Sequence, residues 1–105
     1  MSEFGDVTIR HATASDVPNI FENIGHWAAK GKMLVRPMPN IFENLRDFFV
    51  AEIDGPEGKI FAGNAALHIL WGDIAEIRGL AVKEDVKAKG IGKKLVSACE
   101  AEPDG

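Results

Sequence analysis

The sequence predicts an α+β fold, a mixed α/β sandwich in which a mainly antiparallel central sheet is flanked by helices. Three observations predict it. The segments FFVAEID, KIFAGNAALHILW and IAEIRGLAV have strand character and follow one another with only short turns between them, which favours antiparallel pairing. A stretch with helical spacing precedes this block and another follows it. A chain of 105 residues, 46% of them hydrophobic, supports a single domain, residues 1–105, with one modest core.

Each element has a local reason. VTIRH, Val7 to His11, alternates as a short strand does. In TASDVPNIFENIGHWAAKG, either Thr13 with Asp16 three residues later, or Ser15 alone, caps a helix start, and Pro18 suits its first turn. Val17, Ile20, Phe21, Ile24, Trp27 and Ala28 recur at helical spacing, and Gly31 ends the helix. MLVRPMP is expected to be a loop, because Pro37 and Pro39 forbid a regular element, and IFENLRDF a short second helix. DGPEG marks a hairpin turn. Gly63 marks a bulge or a close approach in the strand that follows. WGD turns the chain into residues 74–82, the third strand of the block. KEDVKAKG is then a loop, and IGKKLVSACEAE a closing helix stopped by PDG. The aromatic residues Phe21, Trp27, Phe42, Phe48, Phe49 and Trp71 are expected to pack in or near the core.

A net charge of −4 argues against non-specific nucleic-acid binding, which needs a broad basic footprint. No apolar run approaches the roughly 20 residues that span a bilayer, and MSEFGDVTIRHA lacks a secretory pattern, so no membrane partner is expected. The single cysteine, Cys99, excludes an intrachain disulfide and suits a reducing cytoplasm. No His, Cys and Asp spacing suggests a metal site. Positive charge is nevertheless concentrated. Five of the twelve Lys and Arg residues fall between Lys83 and Lys94, opposed there only by Glu84 and Asp85.

That cluster surrounds two glycines in KAKGIGKKL, residues 87–95. Gly90 and Gly92 stand where the last strand's loop enters the closing helix. Glycines let backbone amides approach a ligand unhindered, and a helix N-terminus adds free donors and a positive dipole end. The combination makes an anion site, with the lysines as added point charge. A G-x-G alone is weak. Walker A fails because Lys94 follows Lys93 where Ser or Thr belongs, and the dinucleotide fingerprint fails because Leu95 replaces its third glycine. The alternative is a glycine-flexed turn with a solvated lysine face.

The stretch IAEIRGLAVKEDVKAKGIGKKLV resembles the acetyl-CoA-binding motif of the GCN5-related N-acetyltransferase (GNAT) superfamily: a strand, then [Q/R]-x-x-G-x-[G/A], then a helix. Here the motif runs from Lys87 to Gly92, with Lys87 in place of Gln or Arg, which keeps a donor but loses the planar fork. IRHATASDVPNI resembles the family's first strand and helix. KGKMLVRPM, IFENLRDFFVAE and AALHILWGDIAEIRGLAV resemble N-acetylglutamate synthase-like acetyltransferase domains.

The resemblance implies an N-acetyltransferase that moves an acetyl group from acetyl-CoA to the amine of a small substrate, with an amino acid such as glutamate as the candidate. It implies that Leu80, Ala81 and Val82 bond the pantetheine arm through the backbone, and that Lys87, Ala88, Lys89, Gly90, Ile91, Gly92 and Lys93, with Lys94 beside them, hold the pyrophosphate. Glu76, in an AEI stretch, matches a catalytic glutamate of some members; the alternative is a strand Glu facing solvent. His68 on the neighbouring strand is a second candidate base. Arg36 matches an arginine of the synthase-like pattern and Arg78 is the other candidate for meeting substrate carboxylates. Arginine amid IRGLAV should be destabilising unless paired, and the alternative to a substrate role is a pair with a nearby carboxylate such as Glu52.

The family fold normally continues with a fifth strand, a helix that often carries a thiolate-protonating tyrosine, and a hairpin. This sequence has no tyrosine and ends at EAEPDG, so a C-terminally truncated GNAT-like fold is expected. Either it is a fragment, or a second copy supplies the missing wall. The open edge of IAEIRGLAV favours a homodimer. The competing functions are a catalytically weak or inactive acyl-CoA-binding or sensory module, and a basic-loop module that docks an acidic protein.

Overall fold

A computed structural model describes residues 6–71, 74–83, 86 and 90–101. The elements are β1 (Val7–His11), α1 (Val17–Ala29), α2 (Met38–Glu43), β2 (Phe48–Gly55), β3 (Gly58–Trp71), β4 (Ile74–Val82) and α3 (Ile91–Ala101). The strands form one sheet in the order β1-β2-β3-β4, antiparallel throughout, with helices on both faces.

The chain enters α1 through a single 3-10 turn, Ala14–Asp16, with the anticipated Thr13–Asp16 capping box. The Thr13 amide donates to Asp16 Oδ2 at 2.7 Å. That carboxylate also receives Arg10 from β1 at 2.8 Å on each oxygen, and Arg10 reaches on to Glu52 of β2 at 3.0 and 3.1 Å. Arg10 therefore ties the helix start to two strands. Its hydrogen bonds are the main reason that the Asp16 carboxyl sits below its ordinary range, against the opposing effect of burial.

The second helix departs from expectation at both ends. It starts at Met38, with Pro37 as the N-cap and Pro39 inside its first turn. A proline there gives up no helical hydrogen bond, since amides of the first turn have no acceptor. It stops at Glu43, and Leu45–Asp47 form a separate 3-10 turn, so IFENLRDF is not one continuous helix.

β2 lies inside the sheet and Phe48, Phe49, Val50 and Ala51 are all buried, one pair on each face. Phe48 and Val50 pack with Val17, Ile20 and Ile24 of α1 and Ile41 of α2. Phe49, Ala51 and Ile53 pack with Ile91, Leu95 and Cys99 of α3. Among the described residues no helix is long and apolar enough to cross a membrane.

Two irregularities shape the edge of the sheet. Ala51 pairs with Gly63 while Glu52 pairs with Phe61, so the register slips beside Gly63. A Cβ on Gly63 would lie 2.7 Å from the Ala81 carbonyl oxygen, and the expected bulge and close approach are both present. The second irregularity was not anticipated. Asn64 pairs with Ala81 and Ala66 with Arg78, so Gly79 and Leu80 together oppose Ala65. Gly79 has φ +60°, the left-handed conformation that a bulge of this kind assigns to glycine.

Candidate functional site

At the mouth of α3 the first helical hydrogen bond runs from the Lys94 amide to the Gly90 carbonyl at 2.8 Å. The amides of Ile91, Gly92 and Lys93 precede it, in the first turn, where helical amides are the ones left for other acceptors. Gly90 has φ +81° and open space where a side chain would stand. Ile91 is buried in the core beneath, whereas Lys93 and Lys94 are exposed. A backbone anion site flanked by ammonium groups is what this arrangement offers. Lys87, Ala88 and Lys89 lie outside the described residues.

β4 leads toward this mouth. Its last residues alternate, with Leu80 exposed, Ala81 buried and Val82 half-buried. Side chains from α1 and β3 occupy its carbonyls. Asn64 Nδ2 donates to the Gly79 carbonyl at 2.7 Å, Asn23 Nδ2 to the Ala81 carbonyl at 3.0 Å, and Trp27 Nε1 to the Val82 carbonyl at 3.0 Å. Asn23 Nδ2 also donates to Asn64 Oδ1 at 3.0 Å.

A cavity of about 610 Å³ opens beside the middle of β4. Arg36, Asn40, Asp47, His68 and Arg78 contribute polar groups to it, and Leu34 and Val35 of the preceding loop form an apolar rim. Arg36 Nε donates to Asn40 Oδ1 at 2.8 Å, and its guanidinium lies 5.1 Å from the Phe48 ring centre. Burial, and then repulsion from Arg78, make Arg36 less basic than usual, with Asp47 opposing them. No described carboxylate lies within ion-pair range of Arg36. Two cations thus share one open cavity, an arrangement suited to an anionic guest.

Arg78 is paired with a nearby carboxylate, as an arginine in this strand should be. The partner is Glu76, two residues away on the same face of β4, rather than Glu52, which Arg10 holds. Because β4 is the sheet edge, the Arg78 side chain keeps 47% of its surface exposed and suffers no deep desolvation. Glu76 is also exposed. It stands directly across from His68 on β3, but only His68 lines the cavity.

A sequence-family profile described as Acetyltransferase (GNAT) domain matches residues 44–104. The chain belongs to the GNAT acetyltransferase family. It is 40% identical over 96 residues to an uncharacterized N-acetyltransferase of Chlorobaculum tepidum, covering 91% of this chain and 59% of that protein. It is 38% identical over 88 residues to the amino-acid acetyltransferase of Mycobacterium tuberculosis, covering 84% of this chain and 49% of that one. Among solved structures, a Mycobacterium tuberculosis protein in complex with CoA and NLQ superposes with a TM-score of 0.80 at 34% identity, over 89% of this chain and 55% of that one. The N-acetylglutamate synthase of Neisseria gonorrhoeae, complexed with coenzyme A and N-acetyl-glutamate, gives 0.79 at 29% identity, over 90% of this chain and 22% of that one. The chain thus spans about half the length of the curated relatives it matches. The four-stranded sheet flanked by helices is the part of the GNAT fold they share.

Three residues that bond the β4 carbonyls carry no sequence signal for it. Asn23 and Trp27 fall on the inner side of α1, and Asn64 in an apolar strand. Gly79 is a glycine amid strand-formers, which was the one available clue to the bulge.

Proposed function

We propose that this chain carries an acetyl-CoA-dependent N-acetyltransferase site for the amine of a small amino acid, glutamate first among those to be tried. The observation that carries the proposal is the meeting of Arg36 and Arg78 in one cavity against β4. Two guanidiniums suit a substrate with carboxylates, and the relatives that match include an amino-acid acetyltransferase and structures with coenzyme A bound. The mouth of α3 fits the cofactor's diphosphate, with the amides of Ile91, Gly92 and Lys93 behind the open space at Gly90 and with Lys93 and Lys94 alongside.

The chemistry forms an amide C–N bond and breaks the thioester C–S bond. The attacking amine must be neutral, so a base removes its proton. His68 lines the cavity and is better placed for this than Glu76, whose carboxylate is held by Arg78 outside the lining. Glu76 retains a role in orienting Arg78. The sequence holds no tyrosine, so the departing thiolate finds no phenolic donor in this chain. A site that binds acyl-CoA with little or no turnover is the second reading, favoured by the Arg78–Glu76 pair.

The decisive experiment is acetyl-CoA calorimetry together with a thiol-release assay over glutamate, glutamine, aspartate and amines without carboxylates. Saturable binding with release favouring glutamate by roughly tenfold or more over uncharged amines supports the transferase. Binding without release selects the second reading, and no binding removes both. β4 is the last strand of the sheet, and pairing of a second copy along its first part, before the bulge, would cover that stretch of edge and leave Leu80 and Val82 open. We expect a homodimer by light scattering at micromolar concentration; a monomer would dispose of that arrangement. The lone buried Cys99 accords with a cytoplasmic setting.

A further inference from the structure

We infer that Asn23 and Asn64 are positioning residues that aim two backbone amides of β4 out of the sheet. The inference rests on the acetyl-CoA reading above and adds the device that prepares the strand for it.

Both side chains are almost wholly enclosed, Asn23 at 5% exposure and Asn64 at 0%. Burying an amide is unfavourable unless its hydrogen bonds are made, and apolar side chains would fill the same space without that demand. Here the amides are in contact with each other and spend their remaining donors on β4. Their targets are not random carbonyls. Gly79 begins the bulge and Ala81 follows it.

The consequence comes from peptide planarity. Every peptide bond described is trans, so a carbonyl directed one way sends the next residue's N–H the other way. Asn64 draws the Gly79 carbonyl toward β3, which turns the Leu80 N–H toward the uncovered edge. Asn23 holds the Ala81 carbonyl on the inner side, beside Gly63, which turns the Val82 N–H outward as well. Beyond them the strand returns to ordinary pairing, with the Lys83 amide donating to the Ala62 carbonyl at 2.8 Å. Leu80 is the exposed member of the bulge, so its amide is the one open to a ligand's carbonyl. A donor aimed at developing negative charge acts on the transition state more than on the ground state.

The test uses the ¹⁵N-labelled full chain with acetyl-CoA and, separately, with coenzyme A. In the unaltered protein the Gly92 amide should shift equally with both, because it senses the diphosphate they share. The Leu80 amide should shift more with acetyl-CoA, because only that ligand presents the acyl carbonyl. Asn64→Ala and Asn23→Ala should each lower kcat by roughly tenfold or more while the KM for acetyl-CoA stays within about threefold. In both variants the Gly92 response should persist and the Leu80 discrimination should vanish. If Gly92 fails to respond in the unaltered chain, the acetyl-CoA reading falls and takes this inference with it. If Gly92 responds but Leu80 moves alike with both ligands, or if the variants keep their kcat, the inference alone is overturned. Should the variants fail to fold, a Leu80 amide that moves alike with both ligands in the unaltered chain still overturns the inference.

Discussion

Replacing Gly63 with alanine probes how closely β3 and β4 must approach. The new Cβ would meet the Ala81 carbonyl oxygen at 2.7 Å and Val82 Cα at 3.2 Å, both backbone, with Leu95 Cδ1 at 3.4 Å behind them. The side chain of Leu95 can turn aside, but the backbone of β4 has to move outward by several tenths of an ångström. Overpacking of this kind costs about 1–3 kcal/mol. The shift also loosens the bond from Asn23 to Ala81, worth about 1 kcal/mol. The stiffer unfolded chain offsets about 0.4–1 kcal/mol. The net loss is about 2 kcal/mol, and at roughly 2.1 cal/mol/K per residue of unfolding entropy a chain of this length should melt roughly 9 °C lower. Gly25→Ala is the matched control. It lies inside α1 with nothing within 4 Å of an added Cβ, so it should gain about 0.5–1 kcal/mol and melt a few degrees higher. Far-UV circular dichroism melts of the three proteins check both signs. A Gly63→Ala protein melting within about 2 °C of the parent would refute the claim that backbone contact sets this strand spacing.

Two further outcomes follow from charge. Asp16 has its carboxyl held below its ordinary value of 3.8 by Arg10, so the folded state binds its proton less readily than the unfolded state does. The resulting stabilisation is complete above that value and is lost as pH falls through the lower, folded one. Melts between pH 6 and pH 2 should therefore show a steeper acid loss in the parent than in Asp16→Asn. At pH 6 that variant should be weaker by about 2 kcal/mol, less than a fully buried pair, since Arg10 remains 34% exposed; parallel acid profiles would contradict it. At the cavity, Arg36→Gln should raise the KM for carboxylate-bearing amines roughly tenfold or more and leave the KM for acetyl-CoA within about twofold. Equal changes in both constants would place Arg36 outside the substrate site.

Much of the fold was legible because its causes are local. Thr13 and Asp16 form the expected capping box, on the 3-10 turn that leads into α1, since such a box lies within four residues. The strand boundaries of β2, β3 and β4 follow from apolar runs and turn residues. The start of the second helix is not legible in the same way, because proline reads as a breaker without regard to position, whereas Pro37 and Pro39 sit at a helix start that tolerates them. The sequence shows that Arg78 needs a carboxylate nearby without showing which one, Glu52 and Glu76 both being candidates. Only the sheet order shows that β4 is an edge, that Arg78 is half exposed there, and that Glu52 belongs to Arg10.

The amino-acid sequence alone determined the α+β class, the glycine and lysine composition at the mouth of the last helix, and the family. These depend on residues close together in the chain. The tertiary structure alone decided that Arg36 and Arg78 face one cavity, that Gly79 and Leu80 form a bulge, and that Asn23, Trp27 and Asn64 grip the carbonyls around it. Those relations join residues far apart in sequence. Their hydrogen bonds depend on strand register and on which helix covers which face, and neither is encoded in any short run of residues.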